Sequence, residues 1–121
     1  MPVLMDENRR YRVFDKRINL VRTVLAVDFE AEEVVLENGG SGEVVDWQYV
    51  VLMESTMLQD RDGTEIWEMD RFEIPHSDGS LIATVNYSQG KFVVFDDNGQ
   101  LIELDRAFAD IGKVVGSVYD G

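Results

Sequence analysis

The sequence predicts an all-β fold of small antiparallel sheets whose C-terminal half has enough strands to close a small barrel. Short apolar runs rich in Val, Ile, Tyr and Phe recur along the chain, which is strand composition. Brief Gly-containing segments such as Asp62-Gly63 and Ser88-Gln89-Gly90 separate them, the usual connections between antiparallel neighbours. A length of 121 residues with 45% hydrophobic content suits one domain with one core.

Residues 1–8 show no pattern and read as a loose tail. Residues 10–15 alternate Tyr11, Val13 and Asp15 against Arg12 and Phe14, the period of a short strand. In residues 19–29 the set Leu20, Val21, Val24, Leu25 and Val27 has some helical spacing, while its Val and Thr content favours a strand; strand is the reading taken. Residues 33–37 form the next β-rich run, and Asn38-Gly39-Gly40-Ser41-Gly42 is the most loop-like segment.

The centre of the chain, residues 49–74, reads as a hairpin. An apolar strand at 49–53 is followed by a turn in which Asp62-Gly63 supplies a turn former and a positive-φ residue, and a second strand begins at Thr64. Further apolar runs at 81–87, 91–95 and 100–104 alternate with turns at 77–79, 88–90 and 97–99, implying a meander. Asp105 is placed to cap one helical turn over 105–111, before a last strand at 113–119. Five short strands between 66 and 119 suffice for a barrel, in which curling removes exposed edges. The expected division is an N-terminal β segment over 1–46 and the hairpin plus barrel over 47–121.

Charge is the most informative quantity. The formal net charge is -13, yet residues 1–22 carry six basic side chains against three acidic ones. No basic residue lies between Arg22 and Arg61, an interval with nine acids: Asp28, Glu30, Glu32, Glu33, Glu37, Glu43, Asp46, Glu54 and Asp60. Such acids keep a small β-protein soluble and guard sheet edges. A rigid carboxylate array can also imitate a phosphate backbone and occupy a basic nucleic-acid-binding groove. Direct nucleic-acid binding is disfavoured by the same charge, and the basic N-terminal segment is expected to pair with the acidic remainder.

No catalytic or metal-binding constellation is found. If Gly63 held the sixth position of a calcium loop, Leu58 and Met69 would hold the first and last, and neither has a side-chain oxygen. His76 is the only histidine, so one chain cannot supply a multi-histidine metal site. No thiolate site is available without cysteine, and no phosphate-binding loop or nucleophile elbow occurs. Neither a secretory leader nor an apolar run near the ~20 residues of a membrane span is present. These observations lead to the expectation of a non-enzymatic, cofactor-free cytoplasmic protein.

The segment Thr56-Met57-Leu58-Gln59-Asp60-Arg61-Asp62-Gly63-Thr64-Glu65-Ile66-Trp67-Glu68-Met69-Asp70 resembles the central signature of the YopX family, T-G-L-K-D-K-N-G-K-E-I-Y-E-G-D. Tyr11-Arg12-Val13-Phe14-Asp15-Lys16 is similar to that family's opening. Val115-Gly116-Ser117-Val118-Tyr119-Asp120 resembles its closing I-G-N-I-Y-E. The resemblance implies an all-β fold with an SH3-like barrel portion, a gene carried by phages or prophages and a bacterial host. It implies no known activity, so no catalytic residue carries over. Met57 and Met69 stand where the family pattern has glycine, in positions whose backbone angles a methionine would reach only with strain.

Two interaction classes follow. One is an inhibitor of a host nucleic-acid-binding or defence protein, using an acidic surface of Asp28, Glu30, Glu32, Glu33, Glu37, Glu43 and Asp46. The other is an assembly module that oligomerises or binds a peptide through a sheet edge or an aromatic groove drawn from Trp47, Trp67 and Tyr87.

Overall fold

The computed structural model describes residues 2–4, 10–76, 79–95, 99 and 101–119, with no account of the side chains of residues 2–4 and His76. All strand pairings among them are antiparallel, in two sheets. By its contacts the chain forms two compact units, Met1–Glu54 and Ser55–Gly121.

The first unit holds β1 (Pro2–Leu4), β2 (Tyr11–Asp15), β3 (Leu20–Asp28), β4 (Glu33–Asn38), β5 (Ser41–Asp46), a 3-10 turn (Trp47–Tyr49) and the start of β6 (Val50–Gln59). Their order is β5-β4-β3-β2-β6. β2 pairs with residues 20–23 of β3, and β1 pairs with residues 26–28. Residues 2–4 are therefore a strand and not part of a tail. Three residues are too few to show a period, but their backbone matches a stretch of β3 that β2 leaves uncovered. The core comprises Val13, Val24, Val27, Val34, Leu36, Val45 and Val50, with Tyr11, Trp47 and Leu52 packed against it.

A bulge between Val24 and Ala26 shifts the β3–β4 register. Val24 and Val27 consequently both enter the core, three residues apart. That shift produced the helical spacing seen in the sequence. The loop expected over 38–42 shrinks to Gly39-Gly40, whose φ angles of 59° and 90° form the two-residue turn that a twisted hairpin prefers. Asn38 and Ser41-Gly42 belong to the strands.

In the second unit the end of β6 pairs with β7 (Glu65–Trp67). A five-stranded sheet combines β8 (Asp70–His76), β9 (Gly79–Ser88), β10 (Lys91–Phe95), β11 (Leu101–Glu103) and β12 (Lys113–Ser117) in the order β11-β10-β9-β8-β12. No closed barrel forms among the described strands. β11 is only three residues long and leads into the turn α1 (Arg106–Ala109), where Phe108 and Ala109 join the core of Ile66, Phe72, Ile74, Ala83, Val85, Val94 and Leu104. Asp105 caps α1 by accepting from the Phe108 N–H at 2.8 Å, as expected. The turn at 88–90 is present, with Gln89 and Gly90 at φ 53° and 82°. The turns expected at 77–79 and 97–99 fall largely outside the described residues.

β6 continues to Gln59, beyond the end expected at 53, because its polar residues are satisfied. The Ser55 hydroxyl donates to Glu65 Oε2, and Thr56 Oγ1 donates to the Ile66 carbonyl at 2.7 Å. Between the pairs Ser55↔Trp67 and Gln59↔Glu65 three residues face one, a wide bulge centred on Met57. Met57 has φ 61° and Met69 has φ 67°. The two glycine positions of the resembled signature are thus left-handed here, and methionine occupies them with the strain expected. The turn after β6 is non-helical and Gly63 has φ 82°. Its centre is Asp60, 5% exposed, whose carboxylate accepts from the N–H groups of Asp62, Thr64 and Val114 at 2.8–2.9 Å.

Candidate functional site

β3, β4 and β5 place the acidic residues in the first unit. Asp28 pairs with Glu33, and Glu33 pairs with Asp46. Directly opposite residues share a face of a sheet, so one row of three carboxylates crosses three strands. The next row on that face is Ala26, Val35 and Val44, followed by Glu37 beside Gly42. The result is an apolar strip between carboxylates, with Val44 62% exposed. Like charges directly opposite are unfavourable, so solubility alone gives no reason to stack them.

The opposite face carries a polar network. Asp15, fully buried, accepts from Arg17 Nε and Nη2 at 3.0 and 2.8 Å and from Arg22 Nη1 at 3.0 Å. Arg22 Nη1 also donates to Glu43 Oε1 at 2.8 Å, and its Nη2 donates to the Glu37 carbonyl at 3.2 Å. The Arg17 hydrogen bond, with further help from Arg22, holds the Asp15 carboxyl well below the usual range despite its burial. Arg22, chiefly, lowers Glu43 in the same way. The expected pairing of the basic N-terminal segment with the acidic remainder is seen for Arg22 and Arg17, which reach Glu43 at 2.8 and 3.6 Å. Asp15 was detectable as an acid in phase with Tyr11 and Val13, although its partners were not.

The seven acidic candidates therefore divide by role. Glu43 lies in the ion network. Asp46 caps the 3-10 turn by accepting from the Gln48 N–H at 2.9 Å. Asp28 shapes the β3–β4 turn by accepting from the Ala31 and Glu30 N–H groups, and the Ala31 bond is the first cause of its lowered pKa. Glu30, Glu32 and Glu37 are exposed and Glu33 is half-buried. Glu32 sits at φ 55°.

The aromatic candidates differ similarly. Trp47 is half-buried against the first core, and its ring meets Phe29 edge-on at 5.7 Å. Trp67 is half-buried in β7, with its backbone N–H donating to Asp70 Oδ2 at 2.8 Å. Tyr87 is 50% exposed on β9 and meets Phe92 edge-on at 5.1 Å. A cleft of about 490 Å³ in the second unit, lined by Met57, Leu58, Gln59, Arg106 and Asp110, was not foreseen. Met57 and Leu58 of the β6 bulge are among its lining residues. No group of three or more His, Cys, Asp or Glu that could hold a metal occurs among the described residues, and none of their helices is long and apolar enough to cross a membrane.

An all-β chain with these two units and a central left-handed bulge defines a recognisable class. Its residues 10–121 match the model of the YopX protein family, and the chain belongs to that family. No curated protein matches it. Among solved structures it is similar to the crystal structure of protein EF1440 from Enterococcus faecalis. The identity is 18% and the TM-score 0.66, over 97% of this chain and 95% of that one. At that identity the likeness shows a shared fold.

Proposed function

We propose that this YopX protein is a phage-type, non-enzymatic interaction protein of the bacterial cytoplasm that uses its acidic β3–β4–β5 face against a basic protein. The partner class is a host nucleic-acid-binding or defence protein, whose cationic groove the carboxylates would fill in place of phosphates. The observation carrying this reading is the Asp28–Glu33–Asp46 row with exposed Glu32 and Glu37 nearby. The ion network behind it supports rigidity, because Asp15, Arg22 and Glu43 tie β2, β3 and β5 together. A fixed charge array steers association and competes with nucleic acid better than a mobile one.

The test is affinity capture from bacterial extract with the wild-type chain and with Glu32→Lys/Glu33→Lys, both checked for folding by circular dichroism. A partner held by the wild type, lost by the variant and released by added DNA supports the reading. A partner held equally by both and unaffected by DNA overturns it.

A further inference from the structure

The acidic face ends at a strand edge. β5 is last in its sheet among the described residues and runs beside β4 through six consecutive pairs without a bulge. Exposed edges are commonly guarded by lysine, proline, bulges or inward-pointing charges; Ser41–Asp46 has no lysine, proline or bulge, and its inward charge, Glu43, is held by Arg22. Two further features suit an added strand. Val44 is the most exposed of the large hydrophobic side chains among the described residues, at 62%. Gly42 leaves no side chain at its place, where a Cβ would come within 2.7 Å of Val35 Cγ1. Val35 of the same sheet fills that space, and the bare position lies between the exposed Glu37 and the strand edge.

A second copy is a poor occupant, because each chain carries a net charge of -13 and self-pairing would bring two acidic faces together. A basic chain suits the charge. We propose that the outer edge of β5 receives an extended segment of the basic partner, with a basic, an apolar and a basic residue at successive alternate positions and so on one face, as an added antiparallel strand. This rests on the reading of the acidic face given above and adds its mode. Backbone hydrogen bonds supply affinity, an apolar side chain beside Val44 extends the Ala26–Val35–Val44 row, and basic side chains meet Asp46 and Glu37 on either side.

The experiment titrates a synthetic peptide with lysine, valine and lysine at alternate positions and threonine between them, and poly-lysine in parallel, into the full chain at low salt. Amide hydrogen exchange is read by NMR. The expected result is slowed exchange within Ser41–Asp46 with the peptide. Val44→Thr should weaken peptide binding by about tenfold with its salt dependence unchanged, and Val44→Lys should abolish it. If the peptide binds in a salt-sensitive way without protecting β5 and regardless of Val44, the added strand is refuted while the acidic-face reading stands. If neither peptide nor poly-lysine binds, both fail.

Discussion

Replacing Gly112 by alanine should destabilise the second unit by about 2 kcal/mol or more, through crowding alone. A Cβ at 112 would lie 2.2 Å from both Cε2 and Cζ of Phe72 and 3.0 Å from the Glu73 carbonyl oxygen. Carbon atoms rest at about 3.5–4.0 Å, so ring or backbone would have to move by more than an ångström. Phe72 heads the fully buried side chains by volume, and its ring centroid is 6.3 Å from that of Phe108. Gly112 is outside the left-handed region, so no backbone strain contributes, and alanine's stiffer unfolded chain returns only about 0.4–1 kcal/mol. The assay is equilibrium urea unfolding followed by tryptophan fluorescence, applied also to Phe72→Leu and to the double variant. Shortening Phe72 should relieve the clash, making the two changes less than additive by about 1 kcal/mol or more. Strict additivity, or a Gly112→Ala loss within about 0.5 kcal/mol, would refute this packing.

Asp60→Ala should cost about 3 kcal/mol by urea unfolding, since it strips the acceptor from three N–H groups around a 5% exposed carboxylate. Acid should weaken the protein through the same groups. Burial raises the Asp60 pKa, but the bonds from Val114, Thr64 and Asp62 outweigh it, and Asp15 is lowered chiefly by Arg17. Both contributions are therefore complete above the unfolded carboxylate value of about 4 and are lost as pH falls through the folded values. Asp15→Asn should lower the urea midpoint at pH 7 and flatten its decline from about pH 4 to pH 2. Gly63 has φ 82° with open space around its Cβ position. Gly63→Val should cost on the order of 1 kcal/mol or more and Gly63→Asn much less, so equal costs would remove the left-handed turn from the account.

Elements whose side chains follow a simple period were legible in the sequence: β2, β10, the Asp105-capped turn and the Gly63 turn lie where composition placed them. Errors arose where tertiary contacts changed the reading. Ser55 and Thr56 fall in the turn that composition places after 53, but Glu65 and the Ile66 carbonyl give them partners that keep them in β6. The β3 bulge disguised a strand as a mixed pattern. Closure of the C-terminal half was inferred from strand number, which fixes neither pairing order nor the place of Phe108. For the candidate site, the acids were plain in composition. Their row across β3, β4 and β5 was not, because it depends on pairing register between residues 18 positions apart or fewer. Asp46 and Glu43, counted only as acids, also serve as a cap and as an ion-pair partner.

The central claim is that the β3–β4–β5 carboxylates bind a basic protein, and salt dependence tests it most directly. With a purified partner, the dissociation constant would be measured from about 0.05 to 0.5 M salt, where screening shortens to about 4 Å, for the wild type and for Glu32→Lys/Glu33→Lys. The account predicts a steep wild-type loss of affinity, with a weaker start and a shallower slope for the charge-reversed chain. Binding that persists at half-molar salt and is indifferent to the reversal would contradict it.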